Sequence, residues 1–141
     1  MRLLFAALIA LPGMASADLH EVKMLNRNEA GVMAYEPDFV SAEPGDTIRF
    51  LVTDPGHNVA SIEGMLPEGA ERFIGQIDKE IEITLDAEGL YGVKCSPHFM
   101  MSMVMLIRLG GAPVSADALP EDLPRRARER FLSILERQSS N

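Results

Sequence analysis

Cys95, His98 and Met103 put a thiol, an imidazole and a thioether within the ten-residue run Lys94-Cys95-Ser96-Pro97-His98-Phe99-Met100-Met101-Ser102-Met103. Singly, each has a bland explanation: a lone cysteine serves as a small buried hydrophobe, a lone histidine as an ordinary polar residue, and a methionine as core filler. Together they say more. Cys95 and His98 flank a Ser-Pro turn at the end of a predicted strand, and the returning strand begins near Met103, so one short loop can aim three donors at one spot. A fourth donor must come from elsewhere, and only His20 and His57 remain among the three histidines. His20 lies beside the expected mature N-terminus, where chains fray, whereas His57 follows the rigid turn Asp54-Pro55-Gly56. His57 is therefore the fourth candidate. Two imidazoles, a thiolate and a weak thioether are the ligand set of a blue-copper electron-transfer site. Zinc also takes Cys and His, but soft thioether donors favour copper.

The elements that must position these residues read as all-β. From Leu19 to Leu109, short apolar runs alternate with turn signals such as Pro44-Gly45-Asp46 and Glu88-Gly89, the pattern of a sandwich or barrel. Strands are predicted near 19–25, 31–35, 38–43, 47–53, 58–62, 80–85, 89–94 and 103–109. Thr47 to Val52 and Ile81 to Leu85 alternate as half-buried strands do. Residues 64–78 are expected to form a loop. Beyond Gly110-Gly111 the chain turns helical, and Ala127, Phe131, Ile134 and Leu135 share one face. Pro120 and Pro124 predict a short helix followed by a longer one over about 123–137, as a cover for the sheet.

Met1 to Ala17 has the form of a signal peptide: Arg2, the apolar run Leu3 to Leu11, and the small-residue site Ala15-Ser16-Ala17. The expected organisation is a signal at 1–17, a β-sandwich at 18–111 and a helical extension at 112–141 on the same domain. The full chain of 141 residues has 13 basic and 21 acidic residues, a formal charge of −8. Losing Arg2 makes the mature protein more acidic still, which argues against nucleic-acid binding. No other stretch reaches the length needed to span a membrane. A single cysteine in an exported protein cannot form an internal disulfide, so Cys95 needs another reason to be there.

These residues resemble the cupredoxins, and within them the pseudoazurins. The resemblance rests on Met24-Leu25-Asn26, Glu36-Pro37, Pro44-Gly45-Asp46-Thr47, Gly56-His57-Asn58-Val59, Pro67-Glu68-Gly69-Ala70, Val93-Lys94-Cys95 with Pro97-His98, and the helical tail. It implies a Greek-key β-sandwich of about eight strands with two C-terminal α-helices. It also implies one type 1 copper held by His57, Cys95 and His98 with Met103 axial. Met100, Met101 and Met105 are rivals for the axial role, and the family's spacing selects Met103. Asn58 is expected to tie the His57 loop to the Cys95 loop.

The family further implies a monomeric periplasmic electron carrier with no catalytic residues. Its partner would dock on an apolar patch of Met33, Pro55, Pro97 and Met101 around His98. Partners of that kind include nitrite reductase, nitrous oxide reductase and cytochrome c. Here the chain departs from its relatives, because the lysine collar reduces to a sparse set such as Arg27, Arg72 and Lys94. The competing reading is a periplasmic copper carrier or chaperone that passes Cu(I) through the methionine-rich loop.

Overall fold

The computed structural model describes residues 16–140, so the expected signal peptide lies outside the described residues except for Ser16 and Ala17. Eight strands form: β1 (Leu19–Asn28), β2 (Gly31–Glu36), β3 (Phe39–Ala42), β4 (Thr47–Val52), β5 (Ala60–Ser61), β6 (Ile81–Thr84), β7 (Gly89–Lys94) and β8 (Val104–Leu109). They make two four-stranded sheets, ordered β2-β1-β4-β6 and β3-β8-β7-β5. The β1–β4 and β3–β8 pairs are parallel and the others antiparallel. All eight strands fall where the apolar runs and turn signals predict them, β5 reduced to two residues.

Alternation along β4 sends Ile48 and Phe50 inward, and one apolar cluster fills the space between the sheets with Val22, Met24, Tyr91, Val93 and Ile107. β8 is different. Its run Val104-Met105-Leu106-Ile107 is apolar without alternation because both of its faces are covered. Met105 and Ile107 enter the inter-sheet cluster, while Val104 and Leu106 meet Ala127, Phe131 and Ile134 on the other side.

Those last three belong to α1 (Arg125–Ser139), which packs its apolar stripe on the second sheet. Pro124 precedes it and its carbonyl accepts the Arg128 N–H at 2.9 Å, consistent with proline's tolerance at a helix start. Arg137 clamps the far end, its Nη2 donating to both carboxylate oxygens of Asp38 at 2.7 and 2.8 Å. The expected second helix is a correction: it is a single 3-10 turn, Ala116–Ala118, capped by Ser115. Pro113 and Pro120 leave too few residues between them to complete the costly helical nucleus.

Two local contacts fix the course of the chain between the strands. The 62–65 turn lies directly on β7, where Ile62 N–H donates to Gly92 O (2.9 Å) and Gly92 N–H to Met65 O (2.8 Å). A Cβ at Gly92 would come within 2.6 Å of the Met65 side chain, so only glycine permits this approach. At the start of β4, the buried Asp46 carboxylate accepts from the Glu43 and Asp18 amides and from His20 Nε2, at 2.8–2.9 Å. Chiefly the Glu43 amide, then Asp18 and His20, hold its pKa down at about 2.

Two outcomes are expected. Phe131→Ala, which empties a fully buried site under α1, lowers the unfolding free energy by about 3–5 kcal/mol in urea titration. Because the Asp46 pKa is depressed in the fold, the stability it contributes is complete above its unfolded value and is lost as pH falls toward about 2. Asp46→Asn therefore loses stability at pH 7 and shows a shallower decline between pH 5 and 2, measured by the same titration.

Candidate metal centre

The β7–β8 connection carries three of the four predicted donors. Cys95 directly follows β7 and is wholly buried. Its N–H donates to Met103 O at 3.0 Å, which closes the loop across its base. Within the loop, His98 N–H donates to Cys95 O (3.2 Å), and the amides of Met101 and Met103 both donate to His98 O (3.0 and 3.1 Å). A 3-10 turn, Phe99–Met101, with Ser102 left-handed at φ 72°, reverses the chain into β8. His57 arrives from the opposite sheet's side, after Gly56 at φ 94°. Asp78 pins that turn, accepting the Gly56 N–H at 2.6 Å and donating its own N–H to His57 O at 2.9 Å.

The outcome is a triad of donor atoms in which His57 Nδ1 and His98 Nδ1 are 3.1 Å apart. Cys95 Sγ lies 3.5 Å from His98 Nδ1 and 3.9 Å from His57 Nδ1. Metal bonds of about 2.0–2.1 Å to nitrogen and 2.3 Å to sulfur, opened at angles of about 100–135°, require donor separations of about 3.1–4.0 Å. The three atoms therefore fit around one ion. Met103 is also fully buried and packs in the same cluster as Cys95. His20 is not at the site, being engaged by Asp46. Among the rival methionines, Met105 is core, while Met100 and Met101 are exposed.

Protonation suits a cation as well. His57 Nε2 lies 2.9 Å from Asn26 Oδ1. An amide oxygen only accepts, so Nε2 carries the proton and the Nδ1 lone pair points into the triad. Burial, then the neighbouring His98, lowers the His57 pKa and favours the neutral ring. Burial pushes the Cys95 thiol up, with the Asn58 and His98 amides acting in the opposite sense. A coordinated metal ion overrides that preference and deprotonates the thiol outright. Loading the site therefore releases the thiol proton of Cys95.

Two asparagines hold the donors in place. Asn58 spans the two loops, its Oδ1 accepting the Ser96 N–H at 2.7 Å and its Nδ2 donating to Gly75 O at 3.0 Å and Ser96 Oγ at 3.2 Å. Its carbonyl takes the hydroxyl of buried Tyr35 at 2.8 Å. Asn58 thus makes the link the sequence predicts for it. Asn26 is the residue that reasoning from sequence misses. It stands in the Met24-Leu25-Asn26 run, but nothing local reveals that a side chain 31 positions away orients His57. Asp54 accepts the Asn26 N–H at 2.7 Å and fixes that contact.

Comparison with known proteins gives a consistent result. Residues 22–110 match the family model for copper binding proteins, plastocyanin/azurin family. The chain is 51% identical over 127 residues to a pseudoazurin of Paracoccus pantotrophus, covering 89% of this chain and 88% of the relative. Among solved structures, the pseudoazurin of Methylobacterium extorquens AM1 superimposes with a TM-score of 0.80 at 38% identity, over 86% of this chain and 99% of that one. The pseudoazurin of Hyphomicrobium denitrificans gives 0.76 at 37% identity, over 84% and 97%.

Asn26→Ala should leave the His57 ring free to rotate and to exchange tautomers. Loss of such an outer hydrogen bond weakens metal binding by roughly 10–100-fold. Competition titration of cobalt(II) against a chelator measures it, and an unchanged affinity would show that Asn26 does not orient the ligand.

Proposed function

The chain belongs to the pseudoazurins, within the plastocyanin/azurin family of copper-binding proteins, and from that premise we propose that His57, Cys95, His98 and Met103 hold one copper ion whose electron leaves through His98. It is an electron-transfer copper protein and not an enzyme. When bound, copper supplies a one-electron Cu(II)/Cu(I) couple. The protein's task is to keep its own atoms still while the charge on that couple changes.

The observation that carries this reading is the convergence of two imidazole nitrogens and one thiol sulfur in a buried pocket with hydrogen bonds already set around it. Asn26 and Asn58 fix ring and loop, the Cys95–Met103 contact fixes the base of the loop, and burial of Cys95, His57 and Met103 excludes water. Donors held this firmly have little to reorganise, the requirement for fast electron exchange. His98 is the one partly exposed member of the four. Exposed Pro55, Pro97, Met100 and Met101 and half-buried Met33 come from the same loops and from the neighbouring β2. That apolar patch is the docking face in this reading, the partner being a redox protein such as nitrite reductase, nitrous oxide reductase or cytochrome c.

We read residues 1–17 as an export signal to the periplasm, residues 18–111 as the copper-binding sandwich and 112–141 as its helical cover. No helix among the described residues is long and apolar enough to cross a membrane. A copper-passing role is the second reading, favoured by the 70% exposure of Met100. Complete burial of Cys95, His57 and Met103 weighs against it, since ready handover to an acceptor needs reachable donors.

The test is the optical spectrum of the copper(II)-loaded protein. An intense visible thiolate-to-copper band is expected in the wild type and its loss in Cys95→Ser. A wild type without that band, or a serine variant that keeps it, rules the assignment out.

A further inference from the structure

Of the three cations the sequence singles out near the exit, two are spoken for. Arg72 pairs with Glu63 at 2.7 Å, and Lys94 lies over the Phe99 ring at 4.8 Å. A different group stands beside the exit. The 3-10 turn that follows His98 packs against α1, and Met100 shares a groove with Pro124, Arg125, Arg126 and Glu129. The next groove along, of about 410 Å³, is lined by Arg126, Arg130 and Arg137, with one acid, Glu129, and Ser102 of the ligand loop.

Two of these arginines, Arg126 and Arg130, hold no carboxylate, Asp38 acting on Arg130 only at a distance. Arg125 is paired with Glu129 at 2.8 Å. Among the described residues, Arg126 has no hydrogen bond or ion pair, and Arg130 donates only to neutral oxygens, Val32 O and Ser102 Oγ, both at 3.3 Å. Arg126 and Arg130 stand four residues apart on one helix face, where like charges repel. Arg125 and Arg126 occupy the first helical turn, which contains no acid, although cations there oppose the helix dipole. Local stability would put carboxylates at these positions in a chain with 21 of them. A cluster that breaks two local rules next to the electron exit points to a ligand outside the chain.

We propose that the redox partner carries an acidic patch and docks off-centre on the α1 flank of the His98 face, with Arg126 and Arg130 receiving its carboxylates and Met100 and Met101 its apolar surface. The proposal rests on the electron-transfer reading and adds the partner's charge and its side of approach. Charge complementarity carries it. At physiological salt, charges more than about 8 Å away are largely screened, so the arginines beside the patch outweigh the distant net charge of −8.

The probe is oxidation of the reduced copper protein by hexacyanoferrate(III), a trianion, at 0.1–0.5 M ionic strength. The second-order rate constant should fall as salt rises, although protein and oxidant are both net anions. Arg126→Glu should lower it roughly three- to tenfold at 0.1 M and reverse the salt slope, with an unaltered visible spectrum. Arg108→Glu makes the same change in net charge at the opposite end of β8, where Arg108 pairs with Leu90, and should leave the rate within about twofold. In a copper-independent arm, hexaglutamate is titrated into the 15N-labelled metal-free protein. The amides of Ser102, Arg126 and Arg130 should shift, and should not shift in Arg126→Gln. A wild-type rate that rises with salt, equal effects of the two glutamate variants, or a response to hexacyanocobaltate(III) without one to hexaglutamate overturns the proposal. Each leaves the copper assignment standing, because that fails only if the visible band is missing.

Discussion

The side chain of Asn58 is the joint on which the metal centre is built. Its three hydrogen bonds fasten the segment after His57 to the residue after Cys95 and to Gly75 in the intervening loop. Because it neighbours one donor and grips the neighbour of another, it sets the distance between loops that have no sequence proximity. A buried amide with every polar atom engaged is costly to displace, and that cost keeps the two imidazoles and the thiol at spacings suited to one ion. Tyr35, packed edge-on to Phe50 at 5.9 Å, extends the same joint into the inter-sheet core through its bond to the Asn58 carbonyl. The core and the site are therefore one mechanical unit.

Seen from that joint, the sandwich is a device for holding two loops at one end. β7 and β8 pair in register from Gly89 opposite Leu109 to Lys94 opposite Val104, and the donor loop opens just beyond the last pair. Burial of β8 on both faces stiffens the strand that bears the loop. α1 adds a second cluster behind it and reaches the loop itself through the 99–101 turn and the Arg130–Ser102 contact. At the other end, Asp46 draws the start of β1 onto the start of β4 with a carboxylate held ionised by three donors. Covalent neighbours alone could do none of this.

What the sequence makes legible follows physical range. Strands announce themselves through alternation over four to six residues, and α1 through the spacing of Ala127, Phe131, Ile134 and Leu135. The donor residues are readable because a thiol, two imidazoles and a thioether are rare chemistry, and three of the four lie in one loop. The short helix expected before α1 does not form, since apolar and helix-forming composition around Leu119 and Leu123 serves the cluster under α1 without requiring a helix. Asn26 escapes because an exposed-strand asparagine looks the same whether or not a distant histidine leans on it. The arginine flank escapes for a related reason: in sequence, Arg125, Arg126 and Arg130 sit among Glu129 and Glu136 like any solvated helix face, and only three-dimensional pairing separates the neutralised cations from the others.

That distinction bears on how an acidic protein can receive an acidic partner. Net charge governs the approach at separations comparable to the molecule itself, where screening weakens it most, whereas groups within a Debye length of the contact govern the final encounter. A ring of cations around the exit would attract from all sides and leave the rotation about the His98 axis undetermined. Cations confined to one flank, beside an apolar patch that supplies contact but no direction, select one rotation. For electron transfer that selection matters more than added affinity, because a carrier must orient quickly and then leave. A one-sided cluster on a negative surface provides orientation near contact and repulsion farther out, and the repulsion that slows arrival also speeds release.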